Sequence, residues 1–205
     1  MAGNRHGLVK GWKYVLSDLS TEMVIRSRRN LSQFEDSFSY GVWNAGAIPF
    51  MENKFDGVIG LGLLDETLQP EPILDEIRRV MKTGGKFYAT AGGMHHLQEL
   101  ESIAREVLPE ADFGGHPERF GLENGKRILS RRFCNIHRYR FPDKLVFDQV
   151  TPILRYILSE AAVRDQMTPE KTRHLTHLIE ELLGKQRSIS ITSDKGIFQA
   201  EKGCA

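Results

Sequence analysis

The sequence predicts a doubly wound α/β sheet, and three observations carry that expectation. Short β-rich runs alternate with stretches of helical periodicity along most of the chain. Cap and turn residues fall between them, where element ends are expected. The 205 residues, 40% of them hydrophobic, suffice for one buried core, so residues 1–205 are read as a single domain with a helical insert at about 149–183.

Residues 14–17 form an apolar run ending at Asp18, and Ser20 is placed to cap a helix over 21–29. Phe38, Tyr40 and Val42 share one face of a strand over 37–43, which Asn44-Ala45-Gly46 ends as a loop. A strand over 55–61 leads to a helix over 70–81, where Ile73, Leu74, Ile77 and Val80 recur at helical spacing. Thr83-Gly84-Gly85 stops that helix before a strand over 86–91.

An amphipathic helix over 97–108 is closed by Pro109, and a short helix over 122–131 precedes a strand over 134–141. The insert holds helices over 151–160 and 169–183, the second capped by Thr168 with Pro169 at its first position. Strands over 188–192 and 197–200 flank Ser193-Asp194-Lys195-Gly196, read as the turn of a C-terminal antiparallel hairpin. The alternation implies a mainly parallel sheet covered on both faces.

Composition excludes several partner classes. Lys and Arg number 28 against 27 for Asp and Glu, and a net charge of +1 provides no field for nucleic acid or an anionic membrane. No apolar run approaches the roughly 18 to 20 residues that span a bilayer, and residues 1–11 carry no hydrophobic signal core. Cys134 and Cys204 are too few and too oddly placed for a disulfide framework or a metal site, so a reducing cytoplasm and no metal are expected.

His174 and His177, with Glu180 and Glu181 nearby, lack a further ligand and read as surface groups. Arg26, Arg28, Arg29, Arg131 and Arg132 have no interleaved aromatics and read as solvated faces. His95 and His96 follow the strand over 86–91 at its carboxyl end, where an imidazole could take a proton from a substrate or simply begin a solvated helix.

Four motifs in order resemble the class I S-adenosylmethionine-dependent methyltransferases of small-molecule type, which have a Rossmann-like fold. Val15-Leu16-Ser17-Asp18-Leu19 resembles the family's second strand, which implies that Asp18 holds the ribose hydroxyls and that Leu19 adjoins the cofactor. Asn44-Ala45-Gly46-Ala47-Ile48-Pro49-Phe50 resembles the loop that meets adenine. Asn44 stands there for an aspartate, a neutral acceptor worth about half the charged one. Phe55-Asp56-Gly57-Val58-Ile59-Gly60 resembles the fourth strand, and Ile73 to Tyr88 the following helix, glycine turn and fifth strand. Residues from Leu122-Glu123-Asn124-Gly125 onward are similar to the C-terminal part of small-molecule members.

The resemblance departs at two places. The family's first strand and Gly-x-Gly loop have no counterpart, because Gly3, Gly7 and Gly11 follow no apolar strand. That strand would lie between the one ending at Asp18 and the one over 55–61. Its absence would strand buried backbone groups at roughly 1–3 kcal/mol each, against a total stability of about 5–15 kcal/mol. Direct pairing of the two neighbours, a strand from another chain in a homo-oligomer, or an N-terminally shortened copy would each answer this, and the last two are favoured.

The second departure is Leu61-Gly62-Leu63-Leu64-Asp65-Glu66, which replaces a stretch rich in Asn and His. Cofactor contact there would fall to the backbone of Gly60 and Leu61 and the apolar wall of Leu63 and Leu64. The resemblance implies S-adenosylmethionine as cofactor and methyl transfer to an unidentified small molecule. The alternative is an inactive or truncated relative acting as an interaction subunit. No catalytic residue is expected by type, because a sulfonium already leaves readily and alignment does most of the work.

Overall fold

A computed structural model describes residue 9, residues 11–110, residue 113 and residues 115–203. Strands β1 (Tyr14–Asp18) and β2 (Phe38–Val42) run parallel, with Tyr14 opposite Phe38 and Asp18 opposite Val42. Helix α1 (Thr21–Asn30) connects them and starts where Ser20 accepts the N–H of Met23 at 3.4 Å, as its sequence position predicts. Tyr14, Phe38 and Tyr40 form a row of rings with centroids 5.0 and 6.0 Å apart. These cross-strand aromatics hold the two-stranded sheet together.

The second sheet has the order β3-β4-β6-β5, with β3 (Phe55–Gly60) parallel to β4 (Met81–Gly92). β6 (Ile189–Glu201) runs antiparallel to both β4 and β5 (Cys134–Phe147). Helix α2 (Pro70–Val80) crosses from β3 to β4 and buries Ile73, Leu74, Ile77 and Val80, the four residues whose spacing forecasts it. The helix ends at Val80, and Gly84, already within β4, takes φ +77° and donates to the Lys202 carbonyl at 2.8 Å. A Cβ on Gly85 would sit 2.8 Å from the Lys82 carbonyl, so the tight return needs glycine there too.

Two apolar clusters cover this sheet. One gathers α2, Phe87, Ala89, Phe120, Leu129, Phe198 and Ala200. The other gathers Leu100 and Ile103 of α3 (Gln98–Arg105), Ile153 and Ile157 of α5 (Val150–Ile157), Leu175 and Ile179 of α7 (Pro169–Gln186), and Ile189 and Ile191 of β6. The short helices α4 (Gly125–Leu129) and α6 (Ala161–Arg164) complete the set.

Several expectations are corrected. Residues 193–196 are not a turn, because β6 runs straight through them and pairs with β5 from Cys134 to Phe147. The antiparallel pairing at the C-terminal end is therefore between β5 and β6, with α5, α6 and α7 as the connection. Continuous ladder bonding outweighs the local turn preference of Ser-Asp-Lys-Gly, and Arg140 holds Asp194 inside the strand at 2.7 Å. Cys134, not read as part of a disulfide framework, is disulfide-bonded. Among the described residues no helix is long and apolar enough to cross a membrane.

Among these residues β1 and β3 do not pair. Direct pairing of these two strands, one of the three answers left open by the sequence, is therefore not seen among the described residues.

Candidate cofactor site

The carboxyl ends of β1 and β2 lie side by side in one parallel pair, and β3 ends beside β4 in another, each pair joined by a crossover. Asp18 ends β1 and is exposed, with Oδ1 accepting the Ser20 N–H at 2.8 Å. Its carbonyl takes the Trp43 N–H at 3.3 Å, which brings Asn44 beside it one residue later. Asn44, also exposed, accepts the Gly46 N–H on Oδ1 at 2.8 Å. Both side chains thus brace their own turns, as short polar residues do at such positions.

The loop after Asn44 is held rigidly from below. Arg79 of α2 donates to the carbonyls of Phe50 at 2.7 Å and Ile48 at 2.9 Å, while Glu76 accepts the Ile48 N–H at 2.8 Å. Ala45 and Ile48 rest on the α2 core, and Phe50 sits edge-on between Trp43 and Phe55 at 5.6 and 5.1 Å. Gly60 is buried, with Leu63 Cδ2 3.4 Å from where its Cβ would be. Leu61 and Leu19 project outward, 73% and 72% exposed. Asp18, Leu19, Asn44 and Ala45 thus lie at the carboxyl ends of β1 and β2, and Gly60 and Leu61 at that of β3.

The sequence reading missed an acidic group in the stretch it took to have lost its polar anchors. Asp65 buries Oδ1 without a hydrogen-bond partner, and burial pushes its carboxyl above the usual range. Glu66 is also raised, first by burial, then by the negative charges of Asp65, Glu160 and Asp18. Two adjacent acids immediately after Leu63-Leu64, at a strand's carboxyl end, were the signal available.

Behind the site, Asp194 is 5% exposed and paired with Arg140, and its N–H donates to His96 Nδ1 at 3.1 Å. Burial, reinforced by the Lys195 charge and opposed by Asp194, lowers the His96 pKa from 6.5 to about 4. The folded protein therefore holds this ring neutral where the unfolded chain would protonate it. Stability from His96 is complete above pH 6.5 and is lost as pH falls toward 4. We expect His96→Gln to flatten the decline in urea midpoint between pH 7 and 4.5, a change of about 1–2 kcal/mol once exposure is discounted.

His95 bonds Gln98 at 2.9 Å and begins the α3 region as a solvated residue, one of the two roles read for it. His177 is exposed beside Glu180 and Glu181, and no group of His, Cys, Asp and Glu among the described residues could hold a metal.

Residues 3–89 match the sequence model of the methyltransferase domain family. The fold is similar to that of solved methyltransferases. The YcgJ protein of Bacillus subtilis superposes with a TM-score of 0.62 at 13% identity, over 94% of this chain and 83% of that one. A Bacillus halodurans protein described as a methyltransferase gives 0.59 at 18% identity, over 94% and 84%. Phosphoethanolamine N-methyltransferase 2 of Haemonchus contortus, solved with phosphomonomethylethanolamine and S-adenosylhomocysteine, gives 0.54 at 19% identity, over 95% of this chain and 44% of that one. No curated protein matches the sequence.

Proposed function

We propose that the chain serves S-adenosylmethionine-dependent methyl transfer to a small molecule, with the adenosyl group held across the ends of β1, β2 and β3. The observation that carries this is the meeting of Asp18 and Asn44 through the Trp43 N–H at the mouth of a methyltransferase fold. Asp18 would accept from the ribose hydroxyls, Asn44 from the adenine amino group, and the backbone of Ala45, Gly60 and Leu61 would border the ring. Leu19, Leu61 and Leu63 would shield it from water. The cofactor would supply a methyl group on a sulfonium, and the chain's part is alignment.

Asp18 and Asn44 are both exposed, so their polar atoms are accessible to an adenosine. One observation favours a second reading, an inactive relative that works as an interaction subunit: the sheet is split beside Asp18. Calorimetry with S-adenosylmethionine and S-adenosylhomocysteine separates the two. Saturable binding, weakened about tenfold or more by Asp18→Ala, is expected for the first. Absence of heat with either ligand at millimolar concentration would leave the second.

A further inference from the structure

We infer that Glu76 and Arg79 of α2 are positioning residues for the adenosyl group, fixing the loop after β2 relative to the segment after β3. The inference rests on the proposed cofactor binding. Among the described residues, every hydrogen bond that ties residues 44–50 to the rest of the chain ends on one of these two side chains. Glu76 Oε2 accepts the Ile48 N–H at 2.8 Å, while Arg79 donates from Nη1 to the Phe50 carbonyl at 2.7 Å and from Nη2 to the Ile48 carbonyl at 2.9 Å. The loop's other backbone bonds are internal, from the Ala47 N–H to the Asn44 carbonyl at 2.9 Å and from the Phe50 N–H to the Ile48 carbonyl at 2.8 Å.

The pair is arranged to hold a position. Nε and Nη2 of Arg79 grip the two Glu76 oxygens at 2.6 and 2.8 Å, a bidentate pairing that aims the remaining donors at the two loop carbonyls. The Arg79 carbonyl in turn accepts the Asn53 N–H at 3.0 Å, so its backbone is tied as well. Ala45 and Ile48 pack on the same cluster as Leu63 and Leu64 of the segment after β3. On the other side of Asn44, the Trp43 ring lies where a Cβ on Gly41 would be, which seats the start of the loop on β2. The two sheets share no ladder among the described residues. The Glu76–Arg79 clamp is thus a hydrogen-bonded link that sets Asn44 and Ala45, after the first sheet, relative to Gly60 and Leu61 at the end of β3. Lysine cannot stand in for Arg79, because one ammonium lacks the fork that reaches two carbonyls and a carboxylate together.

The test titrates S-adenosylhomocysteine into the whole chain and into Arg79→Lys, Asn44→Ala and the double variant, under conditions where urea unfolding shows each to be folded. Arg79→Lys is expected to weaken binding about tenfold, and the loss should shrink to about threefold or less where Asn44 is already alanine, because a displaced loop then has less to lose. A role in stability alone would leave the affinity of the folded protein unchanged. Exchange of the Ile48 amide, expected to be about tenfold faster in Arg79→Lys, reports release of the loop without ligand. If Arg79→Lys does not fold, Glu76→Gln, which offers one carbonyl oxygen where two carboxylate oxygens served, is measured with the same expectations. Wild-type affinity in the variant, an equal loss with and without Asn44, or unchanged Ile48 exchange would overturn the inference and leave the proposed function standing. Failure of the unaltered protein to bind would instead defeat the proposed function, and this inference with it.

Discussion

Phe198→Ala is expected to lower stability by about 3–5 kcal/mol, which is much of what a domain of this size has. Phe198 is fully buried on β6, edge-on to Phe120 with centroids 5.7 Å apart. Its ring also fills the space over Gly125, where an added Cβ would come within 2.6 Å. Three segments distant in sequence meet on that one side chain, namely β6, the loop at Phe120 and the start of α4. Each is pinned by its own hydrogen bonds, so the hole left by alanine cannot close. A thermal scan should show the midpoint fall by roughly ten degrees. A loss below about 1 kcal/mol would mean that the α4 side of the core is not packed as described.

Gly93→Ala acts through the buried ion pair. A Cβ on Gly93 would overlap Asp194 Oδ2 and lie 2.7 Å from its Cγ. Asp194 cannot yield, since Arg140 grips it and Glu123 steadies the same guanidinium at 3.4 Å. Nor can Gly93 withdraw, because its N–H bonds the Asp194 carbonyl at 2.9 Å and the neighbouring Gly92 carbonyl takes the Leu122 N–H at 2.9 Å. The expected loss is about 1–3 kcal/mol. It should come with altered amide shifts at His96 and Leu122, which the same contacts hold. An unchanged urea midpoint would contradict the Arg140–Asp194 geometry.

Much of the architecture was legible because its signals are local. Ser20 and Thr168 cap helices, Gly84 and Gly85 turn the chain, and Ile73, Leu74, Ile77 and Val80 mark a buried stripe. The turn at Ser193 to Gly196 failed because β5, whose paired residues lie 50 to 56 positions earlier, supplies a full ladder that local preference cannot foresee. Asp18 and Asn44 were readable from motifs. Asp65 and Glu66 were not, because what raises both carboxyls is first of all burial, which depends on how distant segments pack. The disulfide at Cys134 was equally hidden, since spacing along the chain says nothing of which ends meet.

The central claim is that the open ends of β1, β2 and β3 still form a seat for an adenosyl group. Titrating S-adenosylhomocysteine into isotope-labelled protein and following backbone amide shifts tests it most directly. The account expects saturable shifts at Asp18, Leu19, Asn44, Ala45, Gly60 and Leu61. Shifts absent at millimolar ligand, or confined to a distant surface such as the shallow hollow at Ile25, Arg28 and Glu35, would contradict it.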